Sequence, residues 1–144
     1  MRNIDIGLES IDKIYHIADV HVRNVKRHRE YRSVFKRLYS YIKKTRTPNS
    51  VIYVAGDIVH AKTDMSPELV AVVSDFFKNL ADLAPTLIIT GNHDCNLNNS
   101  YRLDALSPIV KALNHQRLHY LKDNGIYLIS GVHFNVLSVY NKPT

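Results

Sequence analysis

Apolar residues in this chain occur in two ways: in short unbroken runs that stop abruptly at polar residues, and in longer stretches where they recur every third or fourth position. The run Ile52 to Ala55 is of the first kind, and it stops at Gly56-Asp57-Ile58-Val59-His60. A short apolar run bounded by a glycine predicts a buried strand, and the glycine would break the ladder so that Asp57 leaves the sheet at its carboxyl end. That edge is where open α/β sheets place their ligands. Two other stretches repeat the design, Ile14-Tyr15-His16-Ile17-Ala18-Asp19-Val20-His21 and Thr86-Leu87-Ile88-Ile89-Thr90-Gly91-Asn92-His93-Asp94. Three strands therefore end in Asp/His, Asp/His and Asn/His.

The second kind of pattern predicts helices. From His28 to Arg46, Tyr31, Val34, Phe35, Leu38, Tyr39, Tyr41 and Ile42 recur at helical spacing, and Thr47-Pro48-Asn49-Ser50 ends the element. Ser66-Pro67-Glu68 supplies an N-cap, a proline at the first helical position and an early acid, so a helix starts there and carries Leu69, Val72, Val73, Phe76, Phe77, Leu80 and Leu83 inward. Met1 to Asp12 reads as a lead-in turn or a frayed start. Cys95 to Tyr101 reads as an asparagine-rich loop, followed by a helix from about Leu103 to Leu113 that Pro108 would interrupt. Strands follow near Arg117 to Leu121, Ile126 to Ile129 and His133 to Val139, with Asn124-Gly125 as the turn between the first two. This order implies the α/β class, with a parallel core of right-handed crossovers that continues into locally paired strands.

Composition narrows the class without deciding the function. At 144 residues and 45% hydrophobic content, residues 1–144 fit one cored domain. A single cysteine, Cys95, excludes an internal disulfide framework and a multi-cysteine zinc site, and fits a reducing compartment. No apolar run approaches about 18 residues and no signal-peptide pattern opens the chain, so the expectation is an intracellular protein, cytoplasmic or, in a eukaryote, nuclear, with no membrane partner. The formal net charge of +6 suits a polyanionic partner, and equally suits solubility.

Asp19, His21, Asp57, His60, Asn92 and His93 on one sheet edge offer carboxylate, imidazole and amide donors. That mixture suits manganese, iron or zinc better than an all-oxygen calcium site. A carboxylate on the central strand can bridge two ions, and two ions about 3.5–4 Å apart would clamp a phosphate and activate water against it. The reaction this favours is phosphoester hydrolysis. Each motif also has a plainer reading: Asp57 as the cap of a turn, His60 as a loop residue, Asn92 and Asp94 as turn formers, and Cys95 as a passive thiol.

Asp19-x-His21, Gly56-Asp57-x-x-His60 and Gly91-Asn92-His93-Asp94 resemble, in order and across roughly the first two thirds of the chain, the first three signature motifs of the calcineurin-like metallophosphoesterases. Within that superfamily, His60 and the long basic helix after the first motif resemble the SbcD-type branch, the exonuclease subunit of double-strand-break repair complexes. The resemblance implies the first half of a four-layer α-β-β-α sandwich and two divalent ions, manganese foremost, with iron, zinc or magnesium as alternatives. It implies that Asp19 and His21 bind the first metal, Asp57 bridges both and Asn92 binds the second. His93 would face the scissile phosphate with His60 assisting, and Asp94 would orient His93 from behind. It further implies DNA as substrate, an SMC-like ATPase as partner and a dimer.

The chain departs from the family pattern in lacking the final Gly-His-x-His motif, which leaves His115, His119 and His133 as candidate ligands. The domain is therefore expected to be incomplete, whether as a truncated chain, a fragment completed by another polypeptide, or a remnant. A phosphomonoesterase or small-substrate phosphodiesterase and a non-catalytic scaffold stand beside the nuclease reading. The basic stretch is Arg23, Lys26, Arg27, Arg29, Arg32, Lys36, Arg37, Lys43, Lys44 and Arg46, opposed only by Glu30. It reads either as a phosphate-backbone track, led by Arg23, Lys26 and Arg27, or as a solvated helix face.

Overall fold

Ser50, Val51, Ile52 and Val54 are all buried along one strand. Successive side chains of a strand point to opposite faces, so this strand must be covered on both sides. In the computed structural model, which describes residues 1–23, 27–59, 65–90 and 104–137, it lies inside a parallel sheet. The strands are β1 (Arg2–Ile4), β2 (Lys13–Ile17), β3 (Ser50–Ala55), β4 (Thr86–Ile89), β5 (Leu118–Tyr120), β6 (Gly125–Ile129) and β7 (Val132–Val136), with helices α1 (His28–Thr45), α2 (Pro67–Leu83) and α3 (Ser107–Leu113). The parallel sheet runs β2-β3-β4-β5, and a second sheet runs β1-β6-β7.

The two faces of β3 belong to different cores. Ile52, Val54 and Ile88 pack with Phe35 and Ile42 of α1, with Phe76, Phe77 and Leu80 of α2, and with Ile109 of α3. Val51 and Leu87 instead meet Tyr127, Ile129 and Val136 of the second sheet, and the Tyr53 and Phe134 rings approach to 5.9 Å. The layers are therefore helices, parallel sheet, second sheet. The outer side of that second sheet carries Ile126, which is 45% exposed.

Local chemistry explains the helices. Ser66 Oγ accepts the Leu69 amide at 3.1 Å and Pro67 opens α2, as the sequence predicts. In α1, Phe35 is sandwiched against Phe76 with centroids 4.1 Å apart, while Val34 and Tyr41 stay on the open flank beside edge strand β2. No helix among the described residues is long and apolar enough to cross a membrane.

Three expectations are corrected. The first residues are not merely a lead-in, because Arg2–Ile4 pairs in parallel with β6, Arg2 opposite Tyr127 and Ile4 opposite Ile129. Pro108 does not interrupt α3; it occupies the first turn, where a missing amide costs nothing. Asn124-Gly125 does not join paired strands, because β5 lies in the parallel sheet and β6 in the other. The hairpin is β6-β7, closed by Ser130 and Gly131 at φ 50 and 77. Two consecutive positive φ values are what a type I′ turn requires.

Candidate metal centre

Strands β2 and β3 end side by side, and their exits are zipped together beyond the regular ladder. Asp19 N donates to Gly56 O at 3.3 Å, His21 N to Asp57 O at 2.9 Å and Val22 N to Ile58 O at 2.7 Å, with a parallel bridge between Val22 and Val59. Val22, Ile58 and Val59 are completely buried. These apolar anchors sink into the core beneath the helices, and the polar residues between them face outward.

The path that does this is contorted. Asp19, His21 and Asp57 all adopt left-handed backbone, at φ 56, 51 and 54. Such conformations are costly for residues with a Cβ, and they persist where surrounding contacts over-determine them. Gly56, at φ 88, supplies the bend that lets Asp57 turn back beside the β2 exit. A further restraint comes from α1, where Tyr31 OH donates to the His21 carbonyl at 2.8 Å.

The result is a cluster in which one ligand-capable atom each from Asp19, His21 and Asp57 lies within 4.8 Å of the others. His21 Nε2 is 3.7 Å from Asp19 Oδ1, with the Asp19 side chain open to solvent and the imidazole more sheltered. Two carboxylates and an imidazole converging from two strand exits offer three donor atoms to one cation. The donor set fits a first-row divalent ion.

A family model of the calcineurin-like phosphoesterases matches residues 12–144. The chain belongs to that family. It is also 48% identical over 138 residues to "Uncharacterized protein R555" of Acanthamoeba polyphaga mimivirus, an alignment covering 94% of this chain and 10% of that protein. The chain thus spans a small part of that relative's length. Members of the calcineurin-like phosphoesterases typically bind divalent metals, and the meeting of Asp19, His21 and Asp57 in a candidate metal-ligand group is consistent with that membership.

The structure leaves other candidates apart from this cluster or beyond reach. His60, Asn92, His93 and Asp94 lie outside the described residues, as do Lys26 and Cys95. Of the three spare histidines, none joins the cluster. His115 Nε2 meets Asp82 Oδ1 at 2.8 Å near the end of α2. His119 sits in β5 opposite Leu87, its Nε2 buried with no hydrogen-bond partner among the described residues. His133 is exposed on β7 opposite Leu128.

The basic stretch divides. Arg32 Nη1 pairs with Asp75 Oδ2 of α2 at 2.7 Å, and Arg46 Nη1 donates to Leu83 O at 2.6 Å, so both serve helix packing. Arg23, two residues beyond His21, and Arg27, just before α1, are exposed; the Arg23 carbonyl accepts from His28 Nε2 at 2.6 Å, and Arg27 Nε is 3.9 Å from Glu30.

Sequence reasoning missed two groups. Tyr31 reads as a position on the apolar face of α1, with no sign of its bond to His21. The other is a buried polar clasp: Asp104 Oδ1 accepts from the amides of Leu106 and Ser107 and from Tyr120 OH at 3.0 Å, while Asp104 Oδ2 faces Lys122 Nζ at 3.2 Å. Tyr120 OH also bonds Thr90 Oγ1, at the exit of β4. Burial would raise the Asp104 pKa, but the hydrogen bonds from Ser107, Tyr120 and Lys122 outweigh it and hold the carboxyl below its usual range. An aspartate three residues before Ser107-Pro108 is a helix-start signal that could have found it.

Proposed function

We propose that this chain is a metal-dependent phosphoesterase domain that hydrolyses phosphodiester bonds in DNA, a nuclease of the SbcD-like kind. The observation that supports it best is the convergence of Asp19, His21 and Asp57 at the exits of adjacent parallel strands. In this reading Asp19 and His21 would hold one divalent cation and Asn92 a second, with Asp57 contributing to both, manganese foremost. Bound cations neutralise phosphate charge and lower the pKa of water, which is the chemistry the reaction needs. The chain's own part is to fix the donors, orient the phosphate and manage a proton. His93, oriented by Asp94, would face the scissile phosphate and stabilise its developing charge or protonate the leaving oxygen, and His60 would assist it. Arg23, Lys26 and Arg27 bind the DNA backbone beside the cluster and contribute affinity without base selection. An SMC-like ATPase and a second copy of the chain are the partners this reading carries.

A second reading is a phosphomonoesterase or small-substrate phosphodiesterase. It is favoured by the engagement of Arg32 and Arg46 in helix packing, which thins the basic track. The experiment is a calorimetric manganese titration of the chain and of Asp57→Ala, with DNA and a chromogenic phosphate ester assayed in the same buffer. Binding lost in the variant, together with DNA cleavage, supports the nuclease. Ester cleavage without action on DNA supports the second reading, and binding without hydrolysis supports a scaffold or a site completed by another polypeptide.

A further inference from the structure

We infer that Tyr31 is a positioning residue for the cation ligand His21, acting through the His21 peptide group. The inference rests on the metal-site reading above and adds to it a part of the helix layer that the motifs do not mention.

His21 has a left-handed backbone, at φ 51, and its amide is already committed to Asp57 O at 2.9 Å. That bond fixes one side of the peptide plane at His21. The carbonyl on the other side points away from β3, toward the start of α1, and there the Tyr31 hydroxyl meets it at 2.8 Å. With both polar groups of His21 held, rotation of its backbone toward the favoured right-handed or extended regions breaks at least one hydrogen bond. The imidazole direction follows from that backbone, because the side chain leaves a Cα whose neighbours are pinned on both sides.

Tyr31 is itself well supported. Its amide bonds to Arg27 O at 2.9 Å in the first turn of α1, and its ring lies 6.1 Å from Phe35, which stacks on Phe76 of α2 at 4.1 Å. A line of aromatic contacts thus runs from the centre of the helix layer to the peptide of a metal ligand. The ring alone would satisfy a packing role, which phenylalanine would serve as well. Only the hydroxyl reaches His21, so the two roles separate on a single oxygen atom.

The test uses the full chain as wild type, Tyr31→Phe, Val34→Ala and Asp57→Ala. Manganese affinity is measured by calorimetry, the cobalt(II) ligand-field spectrum by absorption, and the metal-free melting temperature by circular dichroism. Tyr31→Phe keeps the ring and should bind manganese about tenfold more weakly, with a shifted cobalt spectrum. Val34→Ala, a packing change on the same helix, should leave affinity and spectrum at wild-type values. Wild-type affinity and an unaltered cobalt spectrum in Tyr31→Phe would overturn the inference, whatever happened to its melting temperature. A wild-type chain that binds no more cation than Asp57→Ala would instead remove the metal site itself, a separate failure visible before Tyr31 is considered.

Discussion

The amide of His21 donates to the carbonyl of Asp57 at 2.9 Å, so two candidate ligands on different strands are joined through the main chain as well as through any ion they share. Charge and geometry at Asp57 can therefore be separated. Asparagine tolerates left-handed backbone and removes one negative charge, so Asp57→Asn should keep the metal-free melting temperature at or above that of wild type. Its manganese affinity should fall by about a hundredfold or more, since anionic ligand count sets the strength of such sites. Asp57→Ala should lose the same affinity and also some stability, because alanine at φ 54 costs about 1 kcal/mol more. Paired calorimetry and thermal melts would check both.

The anchors beneath the cluster matter as much as the ligands. Ile58 is fully buried, and its carbonyl accepts the Val22 amide at 2.7 Å. Ile58→Ala should cost roughly 2–4 kcal/mol in urea unfolding, the range for a large-to-small change in a packed core. Manganese should restore part of the loss, because a ligand that binds only the folded state adds to its stability.

Acid should act on the clasp around Asp104. A carboxyl whose folded pKa is depressed contributes stability that is present above its unfolded value, about 4, and is lost as pH falls through the lower folded value. Asp104→Asn should therefore cost about 2 kcal/mol at pH 7 and narrow the difference between pH 7 and pH 3. Urea melts of both proteins across that range provide the measurement.

His119 works at milder pH. Burial lowers its pKa, opposed in part by the charge of Asp5, so the folded state prefers the neutral ring. Its contribution is complete above the ordinary histidine value of about 6.5 and is lost as pH drops below it toward the depressed folded value. His119→Leu removes both the titration and a buried nitrogen that has no hydrogen-bond partner among the described residues. The variant should melt no lower than wild type at pH 7.5, and should show a flatter melting profile between pH 7.5 and pH 5.

If DNA is the substrate, Arg23 and Arg27 should differ from Arg32 in kind. Each phosphate contact removed should reduce the slope of log affinity against log salt by about 0.9, so the Arg23→Ala, Arg27→Ala double variant should show a visibly shallower slope. Arg32→Ala should leave the slope alone and cost at most about 1 kcal/mol of stability, as expected for its exposed pair with Asp75. Fluorescence anisotropy at several salt concentrations separates the two.

The parts of this fold legible in the sequence are those whose signal is local. β3 and β4 are covered on both faces, so they read as unbroken apolar runs ending at a polar motif, and α2 carries its own cap in Ser66 and Pro67. Asp19, His21 and Asp57 were legible because the strands that end in them were. What escaped depends on partners distant in sequence. Arg2–Ile4 is too short to show a period and becomes a strand only against Tyr127 to Ile129. Nothing in Lys122 to Asn124 announces that the chain changes sheets there. Tyr31 and Asp104 act through hydrogen bonds to a loop and to another strand, and helical periodicity carries no trace of either.

The clasp of Thr90, Tyr120 and Asp104 has a consequence for the edge of the parallel sheet. Thr90 stands at the exit of β4 and Asp104 just before α3, and a single tyrosine of β5 holds both. The sheet therefore has a latch at its edge: β5 is only three residues long, and its last residue ties it by side chains to the strand beside it and to the residue that leads into α3, so that the latch and the ladder together hold the register.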